Sequence, residues 1–306
     1  QELNMQWTER QLPEGDEVFL DHVGWFVANL DGAKAQLERL GFQVSVENVH
    51  MNMGADGVQR PSGTINRLSI LGLGYLEFLG ARGETPLADQ HRAQLGRYEG
   101  LHLMAFNSAD VPAEAPRLAA EGFTPLEPVD MRRPVQLPDG DHDGHFSVLR
   151  VPPGVMAEGR VQWCGHHSPD LVWHQSQTTH PNGISALTGA LWVVDDVDEA
   201  LDRYSRFLRK PAKRLGVGAG CVLLERGMLI FAEPRRAAEF VPGLAIPTTP
   251  FGGAVFLRAD QLGAARACLN SNAIPFEDMA GSVLIRPAHG LGSTLILHEG
   301  ATPPGL

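Results

Sequence analysis

The feature that most narrows the fold is a strand–helix cassette that recurs four times along the chain. In its first copy, Asp21-His22-Val23-Gly24-Trp25-Phe26-Val27 reads as a buried strand, rich in β-branched and aromatic residues. Asp31 can cap a helix whose Ala33, Leu37 and Leu40 share one face, and Gly41 stops it before Phe42. After a long loop, Thr64–Leu71 and Tyr75–Gly80 flank Gly72 and Gly74 as a hairpin. The unit is βαβββ.

The second copy opens at Leu101-His102-Leu103-Met104, carries a helix from about Pro112 to Glu121, and breaks at Gly122-Phe123 as the first breaks at Gly41-Phe42. A loop rich in Pro and Asp, Pro125 to Gly144, precedes strands near Phe146–Val151 and Arg160–Trp163. The third copy begins at Gly189, with a helix Glu199–Leu208 and a hairpin around Arg226-Gly227. The fourth begins at Gly253, with a helix Gln261–Asn270 and strands Ser282–Arg286 and Thr294–Leu297. Between the second and third lies a polar, His-bearing segment, 166–185, read as a linker. A single helix covers only one face of such a small sheet, so two units side by side can curl into a half-open barrel with a concave pocket. The expected fold is α+β, with four βαβββ modules paired into two half-open-barrel domains, 17–165 and 186–300.

Length and charge agree with that division. The 306 residues suit two domains of about 150. A net charge of -11, with no local Lys/Arg cluster to reverse it, argues against nucleic acid as a partner. No apolar run approaches a membrane span, and residues 1–16 are polar with no signal-peptide core, although a start at Gln1 suggests trimming. Cys164, Cys221 and Cys268 are odd in number and widely spaced, as expected of reduced thiols in a cytoplasmic protein. Nucleotide-cofactor and serine-hydrolase motifs are absent: there is no GxGxxG, P-loop, GxSxG or HExxH.

With His at the head of the first strand and Glu in the last strand of a cassette, the chain resembles the vicinal oxygen chelate superfamily, which includes glyoxalase I, the type I extradiol dioxygenases and the bleomycin-resistance proteins. It is most similar to bacterial glyoxalase-like domain proteins, through Leu20-Asp21-His22-Val23, Gly63-Thr64-Ile65-Asn66-Arg67-Leu68, Gly74-Tyr75-Leu76-Glu77 and His180-Pro181-Asn182-Gly183. That resemblance implies a divalent metal (Fe, Zn, Ni, Mn or Co) and, carried over by position, the ligands His22, Glu77, His102 and Gln162. Gln162 departs from the usual Glu; its amide oxygen can ligate, but it cannot act as a base near neutral pH.

The same alignment puts Gly189 and Gly253 opposite His22, and Ile230 and Ile296 opposite Glu77, so the C-terminal half lacks every ligand. Glu77 is the expected catalytic carboxylate, with His166 a candidate acid or base near Gln162. Arg67 is a candidate for meeting an anionic substrate, or else a surface charge. The bland alternatives are a hydrogen-bonded core His at position 22, a buried ion pair at Glu77, a plain polar group at Gln162 and a solvated His-bearing linker. The loop Met51–Pro61 is either a lid over the pocket or a surface excursion. The expected function is metal-dependent chemistry on a small molecule with vicinal oxygens, of lyase, isomerase or ring-cleaving dioxygenase type. The alternatives are a non-catalytic binder that sequesters a small molecule, or a degenerate scaffold. A homodimer is compatible with either.

Overall fold

The computed structural model describes residues 7–53 and 56–303. Four modules follow one another. The first has β1 (Phe19–Phe26), α1 (Leu30–Arg39), β2 (Asn48–Met53), β3 (Gln59–Ile70) and β4 (Tyr75–Ala81), and α2 (Pro86–Leu95) leads onward. The second has β5 (Gly100–Asn107), α3 (Glu114–Ala120), β6 (Val129–Leu137), β7 (Gly140–Arg150) and β8 (Arg160–His166), with the short α4 (Pro169–Val172) after it. The third has β9 (Ile184–Val193), α5 (Val197–Leu208), β10 (Ala212–Arg214), β11 (Ala219–Leu223) and β12 (Met228–Ala232), followed by α6 (Pro234–Phe240). The fourth has β13 (Phe251–Ala259), α7 (Leu262–Ser271), β14 (Glu277–Met279), β15 (Ser282–Ile285) and β16 (Thr294–His298).

The modules pair within the chain. β1 lies antiparallel to β5, and each lies parallel to the last strand of its own module, β4 and β8. β9 and β13 repeat this with β12 and β16. Each half is therefore a curled sheet of two modules, and the two sheets touch through the ladder pair Gly252 with Leu101 and through the isolated bridges Phe19 with Arg226 and Leu73 with Ala186. Buried Arg226 ties the halves further: it lies over the Phe19 ring at 4.4 Å and donates to the Arg10 carbonyl at 2.6 Å.

Local chemistry explains where the helices begin. Asn29 accepts from Gly32 N at the start of α1, and Asp196 accepts from Glu199 N at the start of α5. α2 was not expected from periodicity, yet it carries a start signal: Thr85 accepts from Ala88 N, and Pro86 takes the first turn, where no amide is needed. α2 packs against β1, β3 and β4, and its His91 stacks on Phe26 at 4.2 Å, closing that end of the N-terminal cup.

Two segments differ from the sequence expectation. The loop expected at 125–144 is mostly the β6–β7 hairpin, and Met51–Pro61 belongs largely to the β2–β3 hairpin, whose residues 54–55 lie outside the described residues. In these hairpin arms, β2, the start of β3, β6 and the start of β7 are largely solvated and lack an apolar alternation to announce them, whereas the rest of β3 and β7 is buried. Between the arms lies a cavity of about 300 Å³, lined by Val44, Leu68, Ile70, Arg133, Val135 and Gln177 among others.

The parallel pairing of β5 with β8 depends on Gly159. At φ +157° it passes so close to β5 that a Cβ would stand 2.2 Å from the His102 carbonyl oxygen. Gly159→Ala is expected to cost roughly 1–3 kcal/mol or more, read as a lower denaturation midpoint at unchanged slope.

Candidate metal centre in the N-terminal cup

The inner face of the N-terminal sheet is apolar at its floor, with Phe26, Leu68, Ile70, Leu79, Leu103 and Phe146 in one cluster. Polar groups rise from that floor along two walls. Alternation along β1 and β4 puts His22, Tyr75 and Glu77 on this face, since His22 pairs with Tyr75 and Gly24 with Glu77. His22 stacks on Tyr75 at 4.2 Å.

Asp21 breaks the alternation. Leu20 pairs with Phe106 and His22 with Ala105, so Asp21 is the extra residue of a β-bulge, and two successive side chains turn to one face. The Asp21 carboxylate, 0% exposed, receives His22 Nδ1 at 2.7 Å and His166 Nε2 at 2.9 and 3.0 Å. Burial alone would raise its pKa, but the charge and hydrogen bonds of His166 and His22 outweigh that and hold it far below the usual carboxylate range. An ionised Asp21 only accepts, so Nδ1 of His22 must carry the proton. In the neutral imidazole the lone pair is then on Nε2, which faces Glu77 Oε2 at 3.6 Å.

Glu77 is 7% exposed and takes Asn66 Nδ2 on Oε1 at 2.7 Å. Burial pushes its carboxyl up, but His22, His50, Asn66 and Arg160 together bring it below its ordinary value. His50, on β2, has Nε2 at 3.9 Å from Glu77 Oε1 and Nδ1 at 2.8 Å from the Thr64 hydroxyl. Burial, reinforced by Arg160, Arg133 and Arg150, pushes His50 down to about 4, so it is neutral at pH 7, as a metal ligand must be.

Pairs of these groups approach the spacing a divalent ion requires: His22 and His50 face different oxygens of Glu77, and the three do not bring one donor atom each within 4.8 Å of one another. Two ligand atoms ~2.1 Å from one ion stand about 3.0–3.4 Å apart, close to the separations of 3.6 and 3.9 Å found here. Asn66 Oδ1 is also buried without a partner beside them. Asp21 behind His22 is the carboxylate–imidazole support that commonly orients such a ligand. Asp21, Cys164 and His166 form a second, deeper group whose donor atoms lie within 4.8 Å of one another. There Asp21 is already bonded to both imidazoles, and burial raises the Cys164 thiol well above its ordinary pKa. All three residues are buried, which leaves little room for a substrate on any ion there.

The expected ligands divide accordingly. His22 and Glu77 come together, whereas His102 points instead into an aromatic nest. Its Nε2 meets the Tyr98 carbonyl at 2.8 Å, its ring stacks on Tyr98 at 3.9 Å, and Phe26 lies at 5.1 Å. The register gives the reason. Leu103 pairs with Arg160 and Ala105 with Gln162, so Leu103 is the structural counterpart of His22, and His102 is the extra residue of a second bulge between Leu101 and Leu103. Gly253 lies in the matching bulge of β13, and Gly189 matches His22 through its pairing with Met228. Thr188, in the bulge that matches Asp21, bonds the His298 imidazole at 2.7 Å, so the C-terminal half has neutral groups there.

Gln162 is on the cup wall, with Arg150 Nε at 3.4 Å from Oε1. His166 is the last residue of β8 rather than part of a linker, and it faces Asp21. Arg67 is on the other face of β3, paired with Asp31 Oδ1 at 2.9 Å and the Ser45 carbonyl, because alternation gives the cup Asn66 and Leu68 instead. His180 anchors its turn by accepting from Gln43 N at 3.0 Å and donating to the Ile70 carbonyl at 2.8 Å. His50 and Asp21 were missed. Asp21 hides behind the rule of alternation, and His50 lies on a strand with no apolar pattern.

His91, 0% exposed with no partner on either nitrogen, is pushed down by burial to about 4, as is His102. Their unfolded value is 6.5, so the unfolded chain binds more protons between pH 6.5 and 4. Stability is fully present above that window and falls as pH drops through it. Replacing His91 with Leu is expected to flatten the decline of thermal midpoint between pH 6.5 and 4 without lowering the midpoint at pH 7.

Comparison with known proteins places this arrangement in a family. The structure resembles a hypothetical protein from Staphylococcus aureus (TM-score 0.64, 10% identity, 92% of this chain and 100% of that one). It also resembles a xylose isomerase-like TIM barrel/4-hydroxyphenylpyruvate dioxygenase fusion protein (0.61, 12%, 97% of this chain), of which the match spans about half, 52%. A third likeness is to a mutant of 4-hydroxymandelate synthase from Streptomyces coelicolor (0.56, 13%, 94% of both chains). At such identities the likeness is one of fold. No curated protein matches the sequence. Residues 20–208, more than half of the chain, match the glyoxalase-like domain family, and the chain belongs to it.

Proposed function

We propose that the N-terminal half, residues 17–165, is the site of a metal-dependent enzyme acting on a small molecule with two vicinal oxygens, with 186–300 as its metal-free companion. The observation that carries this reading is His22 Nε2, its lone pair fixed by ionised Asp21, facing the buried carboxylate of Glu77. A divalent Fe, Zn, Ni, Mn or Co ion held there would supply a Lewis acid for two adjacent substrate oxygens, or in the case of iron a centre for oxygen chemistry.

The chain's own groups do the rest. Asp21 holds the His22 ring and its tautomer. Asn66 occupies one oxygen of Glu77 and leaves the other toward His22. The apolar floor keeps water from the reacting face. Gln162 offers an amide donor and acceptor but moves no proton, so proton transfer falls to Glu77, with the Asp21–His166 pair behind it. A second reading, a binder that sequesters its ligand, is favoured by that same Gln162, since the second module brings no carboxylate to the cup wall at this position.

Metal analysis of protein purified without chelator separates the readings. An equimolar transition metal is expected in wild type and in His102→Ala, with loss in His22→Ala while circular dichroism stays folded. Iron would indicate oxygen chemistry, and zinc, nickel or manganese proton transfer. Wild type that stays empty after incubation with each ion would remove the enzyme reading and leave the binder.

A further inference from the structure

The wall of the cup opposite Glu77 is built from arginines without acidic partners. Arg133 on β6, Arg150 at the end of β7 and Arg160 at the start of β8 belong to the second module. None of the three lies within 4.0 Å of a described carboxylate. Arg133 lies over the Phe146 ring at 4.8 Å, Arg160 over the Phe26 ring at 5.5 Å, and Arg150 touches Gln162. Both rings belong to the cup floor, which places the guanidinium groups over it.

Arg203, by contrast, holds Glu158 at 2.8 Å and Glu199 at 2.6 Å, while fully buried Arg226 has carbonyl partners on Nη1 alone. Here burial depresses Arg150 and takes Arg160 down to about 10, with Arg150 adding its repulsion. All three act on His50, and Glu77, which is committed to Asn66, His22 and His50, is the carboxylate that Arg150 and Arg160 feel. A chain of net charge -11 thus concentrates positive charge in one cup. The three side chains are half-buried; like charges gathered without counterions destabilise a fold, and they persist where a ligand supplies the missing charge. Arg133 also lines the cavity between the hairpin arms, together with Leu68 and Ile70 of the cup floor.

We propose that the cup binds an anionic small molecule whose oxyanion group, carboxylate or phosphate, is held by Arg150 and Arg160, with Arg133 at the entrance, while the rest of the molecule faces His22 and Glu77. Planar guanidinium groups suit such oxyanions because they bind them in bidentate fashion. The inference names the substrate class of the site proposed above and rests on that reading for the role of His22 and Glu77.

The test titrates purified protein with pyruvate and with butane-2,3-dione, which share shape and vicinal oxygens but differ in charge. Benzoylformate serves as a larger carboxylate and inorganic phosphate as the second oxyanion source. Calorimetry reads binding, and metal content is measured on the same samples. Saturable binding of at least one anion and none of the dione is expected. Arg150→Met and Arg160→Met should each weaken that binding about tenfold or more without changing metal content. In the absence of ligand, Arg160→Met should raise the thermal midpoint, because it relieves a repulsion; a structural arginine would lower it.

Phosphate binding with no carboxylate binding assigns the oxyanion to phosphate, and the converse assigns it to carboxylate. The proposal is overturned if the dione binds as tightly as pyruvate, if the arginine variants bind undiminished, or if no anion binds at millimolar concentration. Absent metal with intact, arginine-dependent anion binding would instead remove the metal reading and leave the anion site standing.

Discussion

Everything in the cup depends on one buried charge. Asp21, on a bulge of β1, bonds the imidazoles of its neighbour His22 and of His166 at the far end of β8. A carboxylate with no solvent exposure is tolerable only when fully bonded, so Asp21 fixes two rings and ties the first strand of one module to the last strand of the next. Without the bulge, Asp21 would point away and His22 would have no fixed tautomer. The bulge is thus a means of placing two consecutive polar residues on one face of a strand that otherwise alternates.

The recurrence of bulges explains the asymmetry of the two halves. β9 and β13 keep the irregularities of β1 and β5 at matching positions. In the C-terminal half these positions carry Thr188 and Gly253, and Gly189 and Ile230 stand where His22 and Glu77 stand in the other. The backbone device is retained while the chemistry is present in one copy, so the bulges belong to the fold and the side chains to the site.

Much of this was legible in the sequence, and the misses have physical causes. The cassettes, their helices and the strands that carry His22 and Glu77 follow from periodicity and capping, because those elements bury one face. The outer ends of two hairpins, β2 with the start of β3 and β6 with the start of β7, did not follow, because they are largely solvated and lack that signal. With them went His50 and Arg133. His102 was misplaced by one residue, since a bulge shifts register without changing composition, and counting positions from His22 runs past it. Arg133, Arg150 and Arg160 are far apart in the chain and look like scattered surface charge until three adjacent strands bring them together.

The cup has two walls of separate origin. His22, His50 and Glu77 come from the first module, and Arg133, Arg150 and Arg160 from the second. The seam between them is the β1–β5 ladder, crossed by the Asp21–His166 bond. On the reading proposed above, reactivity would belong chiefly to the first module and recognition to the second. Substitutions confined to residues 129–162 would redirect the protein to a differently charged compound while the reactive wall stayed intact.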